Sequence, residues 1–276
     1  MNPPDAMTPG ALAAAGFEVA VAVAGAWALW AAVLSPAARA RRATRLIPWF
    51  LPPLDFAVFL CCVFVGATVP SAAAGYLVRN THLGSDSALI LGGAVMHLGI
   101  LLGLVGFFRA FGARSNPSGP PVSAGQVLRG GLLTFLIAMP IVDLTSLGWD
   151  YCLVHLGLPD DRQEMVEILQ NSHSPLLVGS LMAVATLLVP VTEEIVFRAG
   201  LFRFMRTRIP RRAAILVSAL IFGALHQSWS SFVPLTVLAV VFCLAYERTG
   251  SIGTTIVAHA LFNLNTFVII AAGIGS

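Results

Sequence analysis

Lysine is absent from this 276-residue chain; all sixteen basic residues are arginine, the bias that a GC-rich genome imposes. Charge of either sign is scarce, at 11% of residues, where soluble domains carry about 25%. With 57% apolar residues and a mean hydropathy of +0.85, that scarcity excludes an ordinary soluble enzyme, a nucleic-acid binder and a disordered chain. A net charge of +3 implies no polyanionic partner. Cysteine is sparse too. Cys61, Cys62, Cys152 and Cys243 form no Cys-x-x-Cys pair and lie in apolar runs. They read as small buried hydrophobes, which excludes a disulfide framework or a zinc knuckle. The first ten residues hold no basic residue and carry Asp5, so the basic region of a cleavable signal is missing. There is no lipidation motif, fixed-period repeat, Gly-x-Ser-x-Gly or His-Glu-x-x-His.

What the sequence has instead is apolar runs of membrane-spanning length. A spanning helix needs about 20 mostly apolar residues. Eight stretches qualify: Ala11–Leu34, Leu54–Leu77, Ala88–Phe108, Gly131–Leu153, Leu176–Phe197, Ala213–Trp229, Phe232–Tyr246 and Ile252–Ala272. The seventh is the shortest, and a tilt or a place inside the bundle would accommodate it. Turn signals separate the stretches, among them Pro52-Pro53, Pro120-Pro121, Pro175, Pro210 and Thr249-Gly250. The expected fold is an all-α polytopic membrane helix bundle of about eight spans. Alternate loops hold fourteen of the sixteen arginines, and the opposite loops hold only Arg79 and Arg162. The positive-inside rule makes the arginine-rich face cytoplasmic and both termini non-cytoplasmic. Asp161-Arg162-Gln163-Glu164 resembles a capping box, followed by Met165, Ile168 and Leu169 at helical spacing. That pattern predicts a short interfacial helix before the fifth span.

An ionisable group inside a span is costly and is a functional candidate by default. Glu18 and Asp55 are read as lying near span ends, where snorkelling suffices. His97 and Asp143 lie deeper, and His97 is explained by a hydrogen bond between helices. Glu193, Glu194, His226 and His259, with the amide Asn263, form a constellation. The fifth span reads Thr192-Glu193-Glu194-Ile195-Val196-Phe197-Arg198, the sixth Phe222-Gly223-Ala224-Leu225-His226, and the eighth His259-Ala260-Leu261-Phe262-Asn263. At 1.5 Å per residue, Glu193 lies roughly 15 Å from Arg203, His226 roughly 21 Å from Arg212 and His259 roughly 16 Å from Arg248. Three groups on three helices thus reach a similar depth, which points to one shared site.

The residue types suggest hydrolysis. A carboxylate shielded from water can serve as general base near neutral pH. Arg198, four residues after Glu194, holds that glutamate ionised and structural. Glu193 is left for a water molecule, His226 to share the water or protonate a leaving amine, and His259 with Asn263 to donate to an oxyanion. Glu193, His226 and His259 also make a two-His, one-carboxylate set that could bind zinc. Residue types alone leave activated water and metal-bound water both open.

Glu-Glu-x-x-x-Arg, Phe-x-x-x-His and His-x-x-x-Asn, in this order in neighbouring spans, resemble the CPBP family. That family contains the type II CAAX prenyl endopeptidases and the bacterial Abi-type proteins linked to bacteriocin processing and immunity. The likeness runs from about Pro175 to Phe267. It is strengthened by Phe197-Arg198-Ala199-Gly200-Leu201, where the usual Phe-Arg-Gly reads Phe-Arg-Ala-Gly, and by Tyr246-Glu247-Arg248-Thr249-Gly250-Ser251. The resemblance implies an intramembrane endopeptidase in which Glu193 and His226 activate water and His259 and Asn263 stabilise the oxyanion. Glu194, Arg198 and Phe222 support them. It implies no required cofactor, with a metal such as zinc on Glu193, His226 and His259 as the alternative. It divides the chain into N-terminal spans over 1–110, a variable extension, and a catalytic transmembrane domain over 125–276. The expected partners are the lipid bilayer and a membrane-embedded or membrane-anchored substrate, in a bacterial plasma membrane, with no nucleic acid. Two rival functions are a non-catalytic scaffold or immunity factor of the same fold and a proton-relaying transporter. No pairing of broken spans between the two halves favours the transporter.

Overall fold

The computed structural model describes residues 9–40, 44–79, 81, 83–115, 122–158, 168, 172 and 174–271, and they form helices and loops with no strand among them. Among the described residues, nine helices follow in chain order. They are α1 (Pro9–Leu29, continued by a wide π turn over Trp30–Leu34), α2 (Pro36–Ala40), α3 (Pro53–Val78), α4 (Ser85–Ser115) and α5 (Ala124–Leu156). The long rod α6 (Pro175–Met205) comes next, then α7 (Arg211–Leu225), α8 (Trp229–Thr249) and α9 (Ile252–Ala271). Each of the eight expected stretches contains helix. Among the described residues, seven helices are long and apolar enough to cross a membrane.

The short helix is the sixth stretch, not the seventh. The stretch expected over Phe232–Tyr246 belongs to the 21-residue α8, whereas α7 has 15 residues and stops before His226. The cause is local. Ser228 caps α8 by accepting the Ser231 N–H, so Trp229 opens a new helix rather than closing the old one. The expected capping box at 161–164 lies outside the described residues. The cysteine expectation holds only for Cys243, which is buried; Cys61 and Cys152 are exposed on the outer faces of α3 and α5. In none of the seven spans is more than 33% of the apolar window buried within the protein. The remaining apolar surface, including Trp27, Leu102, Leu144 and Leu187, needs lipid rather than water around it.

Small residues let the helices approach. A Cβ on Gly66 or Gly99 would meet the other's carbonyl oxygen across the α3–α4 contact, the close backbone approach that membrane helices use in place of a hydrophobic drive. Trp49, Phe56, Phe59, Leu104 and Phe107 form one apolar cluster, and Ile195, Leu201 and Phe204 of α6 pack against it. A second cluster joins α1, α5, α8 and α9 through Val21, Phe135, Met139, Phe242 and Ala258. Glu18 is not near a span end. It stands a third of the way along the first span, Gly10–Leu34, and interacts electrostatically with Asp143 of α5.

One end of the bundle is tied by arginine. Glu247 on α8 takes Arg206 Nε at 2.6 Å and Arg211 Nη2 at 2.6 Å. Its carbonyl accepts the Arg45 N–H at 2.8 Å. Arg203 Nε donates to the Ile47 carbonyl at 2.7 Å, and Arg208 binds the Leu51 carbonyl. The loop before α3 is therefore strapped across the ends of α6, α7 and α8. This fixes the rod that carries the paired glutamates.

Candidate active site

The rod α6 is not a regular helix. It is π-helical over Val184–Leu188 and again over Glu194–Phe202. Proline explains the first widening. The Val189 N–H donates to the Val184 carbonyl, five residues back. In that register the Ala185 carbonyl should receive the N–H of residue 190, but residue 190 is proline and has none. The orphan carbonyl is met from α9, where Asn263 Nδ2 donates to it at 2.7 Å. Wide turns of this kind recur at functional sites. Here the turn re-aims the segment that carries Thr192, Glu193 and Glu194.

Glu194 and Arg198 are both fully buried and pair at 2.8 Å. The Arg198 guanidinium lies 4.4 Å from the Phe222 ring centre and 5.2 Å from that of Phe242. Two aromatic faces thus take up a cation whose Nε and Nη2 lack hydrogen-bond acceptors. Phe222, the first residue of its motif, is the wall of this pocket. Its ring also meets Phe197 at 5.1 Å, His226 at 4.8 Å and His259 at 6.2 Å.

His259 joins the two glutamates. Its Nδ1 is 3.0 Å from Glu194 Oε1, and its Nε2 is 3.8 Å from Glu193 Oε2. Glu193 differs from its neighbour in keeping 18% of its side chain accessible, while its Oε2 has no hydrogen-bond partner. The adjacent carboxylates are thus separated in role: one is locked, the other is open on one side. His226 caps the C-terminal end of α7, and its Nδ1 lies 2.8 Å from the Phe222 carbonyl. A carbonyl only accepts, so Nδ1 is the donor, and in the neutral ring Nε2 keeps a lone pair. His226 makes no ion pair with either glutamate among the described residues. Gln227, just after it, has φ of 53°, a left-handed turn unusual for a residue with a side chain.

Of the residues singled out from the sequence, Glu193, Glu194, Arg198, Phe222 and His259 come into one contact set. His226 joins it through Phe222, and Asn263 joins through the Ala185 carbonyl. Among the described residues, no three His, Cys, Asp or Glu side chains converge closely enough to hold a metal ion. His259 already spends Nδ1 on Glu194. That contact leaves His259 Nε2 as its free ring nitrogen, and no step below is routed through a metal. His97 makes the expected interhelical hydrogen bond, and its partner is Thr192, next to Glu193, with His97 Nδ1 2.5 Å from Thr192 Oγ1.

Residues 175–265 match the family described as Type II CAAX prenyl endopeptidase Rce1-like. Among curated proteins, the chain is 29% identical over 111 residues to "Putative membrane peptidase YdiL" of Bacillus subtilis (strain 168). That match covers 40% of this chain and 42% of the relative, so the chain spans less than half of the relative's length. No solved structure matches the chain. The matched region, a third of the chain, holds every motif residue of the site, and over it this multi-pass helical chain is similar to the type II CAAX prenyl endopeptidases and to a membrane peptidase.

Proposed function

We propose that this chain is an endopeptidase that hydrolyses a peptide bond of a membrane-associated protein or peptide, with water activated by Glu193 and His226. The observation that carries the reading is the division of labour between adjacent carboxylates: Arg198 and His259 bind Glu194, while Glu193 is open on one side. Glu193 takes a proton from water as the water oxygen bonds to the scissile carbonyl carbon. The carbonyl electrons move onto oxygen. Collapse of that oxyanion breaks the C–N bond, and the leaving nitrogen takes the proton back by way of His226 Nε2. His259 donates to Glu194 through Nδ1, so it can serve an oxyanion only through a protonated Nε2. Asn263 keeps a second amide N–H beyond the one bound to Ala185.

The arginine-tied end is the cytoplasmic end under the positive-inside rule. The relative's name supports peptidase chemistry, and the family's description supports a membrane-anchored substrate. The natural substrate of this chain is a membrane-anchored peptide, a peptide precursor or a membrane-protein tail. The test compares new peptide termini in membranes of cells producing wild type or Glu193→Gln at matched levels. Termini present only with wild type establish catalysis and name the substrate. Identical termini with both proteins folded would overturn the reading in favour of a non-catalytic scaffold.

A further inference from the structure

We infer that His97, on a helix outside the family-matched segment, is a positioning residue of the active site, acting on Glu193 through the hydroxyl of Thr192. This rests on the protease reading above. Four observations support it. His97 is buried, at 7% exposure, in the middle of a span, where an ionisable side chain without a task is costly. Its Nδ1 contacts Thr192 Oγ1 at 2.5 Å, and Thr192 is itself 1% exposed. Thr192 Oγ1 also reaches the Val189 carbonyl at 2.9 Å and the Leu188 carbonyl at 3.2 Å, at the end of the π turn that proline 190 imposes. Finally, the Glu193 carboxylate acts electrostatically on the His97 ring.

The hydroxyl has one proton, so the contact has two forms. When Thr192 donates to a backbone carbonyl, His97 Nδ1–H donates to Thr192. When Thr192 donates to Nδ1, the proton of the ring is on Nε2. Either form pins Thr192, and with it the backbone that leads directly into Glu193. The widened rod lacks a full set of its own hydrogen bonds there. A side chain from α4 therefore supplies a restraint that α6 cannot. The N-terminal spans are in this view part of the catalytic apparatus and not only an extension.

The experiment measures the rate at which the Glu193-dependent new terminus appears in membranes, for wild type, Glu193→Gln, His97→Ala, His97→Asn, Thr192→Val and the His97→Ala/Thr192→Val double variant. His97→Ala and Thr192→Val should each slow cleavage roughly tenfold to a hundredfold, the scale of loss when a reacting group is misplaced by about an ångström. The double variant should be no slower than the slower single, since both remove one contact. His97→Asn should recover most of the rate, because its amide N–H can take the place of Nδ1–H. Wild-type cleavage by His97→Ala, failure of His97→Asn to rescue, or multiplied losses in the double variant would each overturn the inference. A wild type that yields no Glu193-dependent terminus overturns the protease reading and this inference together, and is told apart because wild type itself is then silent.

Discussion

His259 Nδ1 stands 3.0 Å from Oε1 of Glu194, the carboxylate that also receives Arg198 at 2.8 Å. The imidazole is thereby fixed with its other nitrogen toward Glu193, 3.8 Å away. One glutamate is used to orient the histidine, and the histidine in turn faces the other glutamate. This arrangement explains why the site needs two adjacent carboxylates with opposite degrees of freedom.

The locked pair should be structural. Arg198→Ala leaves Glu194 charged, buried and without its cation, and removes the guanidinium from between Phe222 and Phe242. A loss of about 3–5 kcal/mol is expected, seen as a large fall in the thermal midpoint of detergent-solubilised protein. Arg198→Lys should not restore it, because a lysine lacks the planar group that stacks on the rings. An unchanged midpoint with lost cleavage would make Arg198 part of the chemistry instead.

The open carboxylate should behave in the opposite way. Glu193→Gln is nearly isosteric and removes only the base. Cleavage should vanish while the thermal midpoint stays within a degree or two of wild type. His226→Ala should likewise abolish turnover, measured as loss of the same termini in membranes.

Asn263 has two candidate tasks that can be separated. Asn263→Ala removes the donor to the Ala185 carbonyl and any donor to the oxyanion. Turnover should fall roughly a hundredfold, the usual effect of losing an oxyanion donor, and stability should also fall. Adding Pro190→Ala returns an N–H at the position that the π register calls for. The double variant should regain thermal stability and not activity. Recovery of both would show that Asn263 acts only by holding the turn.

Gly200 admits α3 to the rod. A Cβ there would stand 2.6 Å from Cζ of Phe59. Gly200→Ala should destabilise by about 1–3 kcal/mol, as overpacking does. Phe59→Leu in the same chain should relieve part of that loss, checked by thermal unfolding of the three variants.

With Glu193 as the base, cleavage is predicted to be insensitive to chelation. Phenanthroline or EDTA, applied to solubilised protein and removed, should leave the cleavage rate unchanged. A loss that zinc alone restores would show that Glu193, His226 and His259 rearrange around a metal.

The rival transporter reading makes Glu193 and His226 proton carriers, and the comparisons favour the family of membrane proteases instead. The scaffold reading is separated from ours by Glu193→Gln, which a scaffold should tolerate.

Spans and motifs were legible in the sequence because each depends on residues close together in the chain. Apolar length fixes a spanning helix, and spacing of three or four fixes which side chains share a face. Arginine placement offered a loop-by-loop orientation for the same reason. The Glu194–Arg198 pair could be anticipated in this way, whereas Glu193 and His259 could only be placed at a similar depth. Other features depend on partners more than sixty residues away, and periodicity has no access to them. The rod widens because of Pro190, but that its orphan carbonyl is met by Asn263 follows from where α9 lies. His226 is half in the site because α7 stops at 15 residues, a break that hydropathy smoothed over. His97 was visible as an ionisable group in lipid, and only packing of α4 on α6 set it against Thr192. Sequence determined which helices exist and which groups they carry into the membrane; tertiary packing decided which carboxylate is locked, which is free, and which distant side chains hold them so, since those choices rest on contacts between helices and not along them.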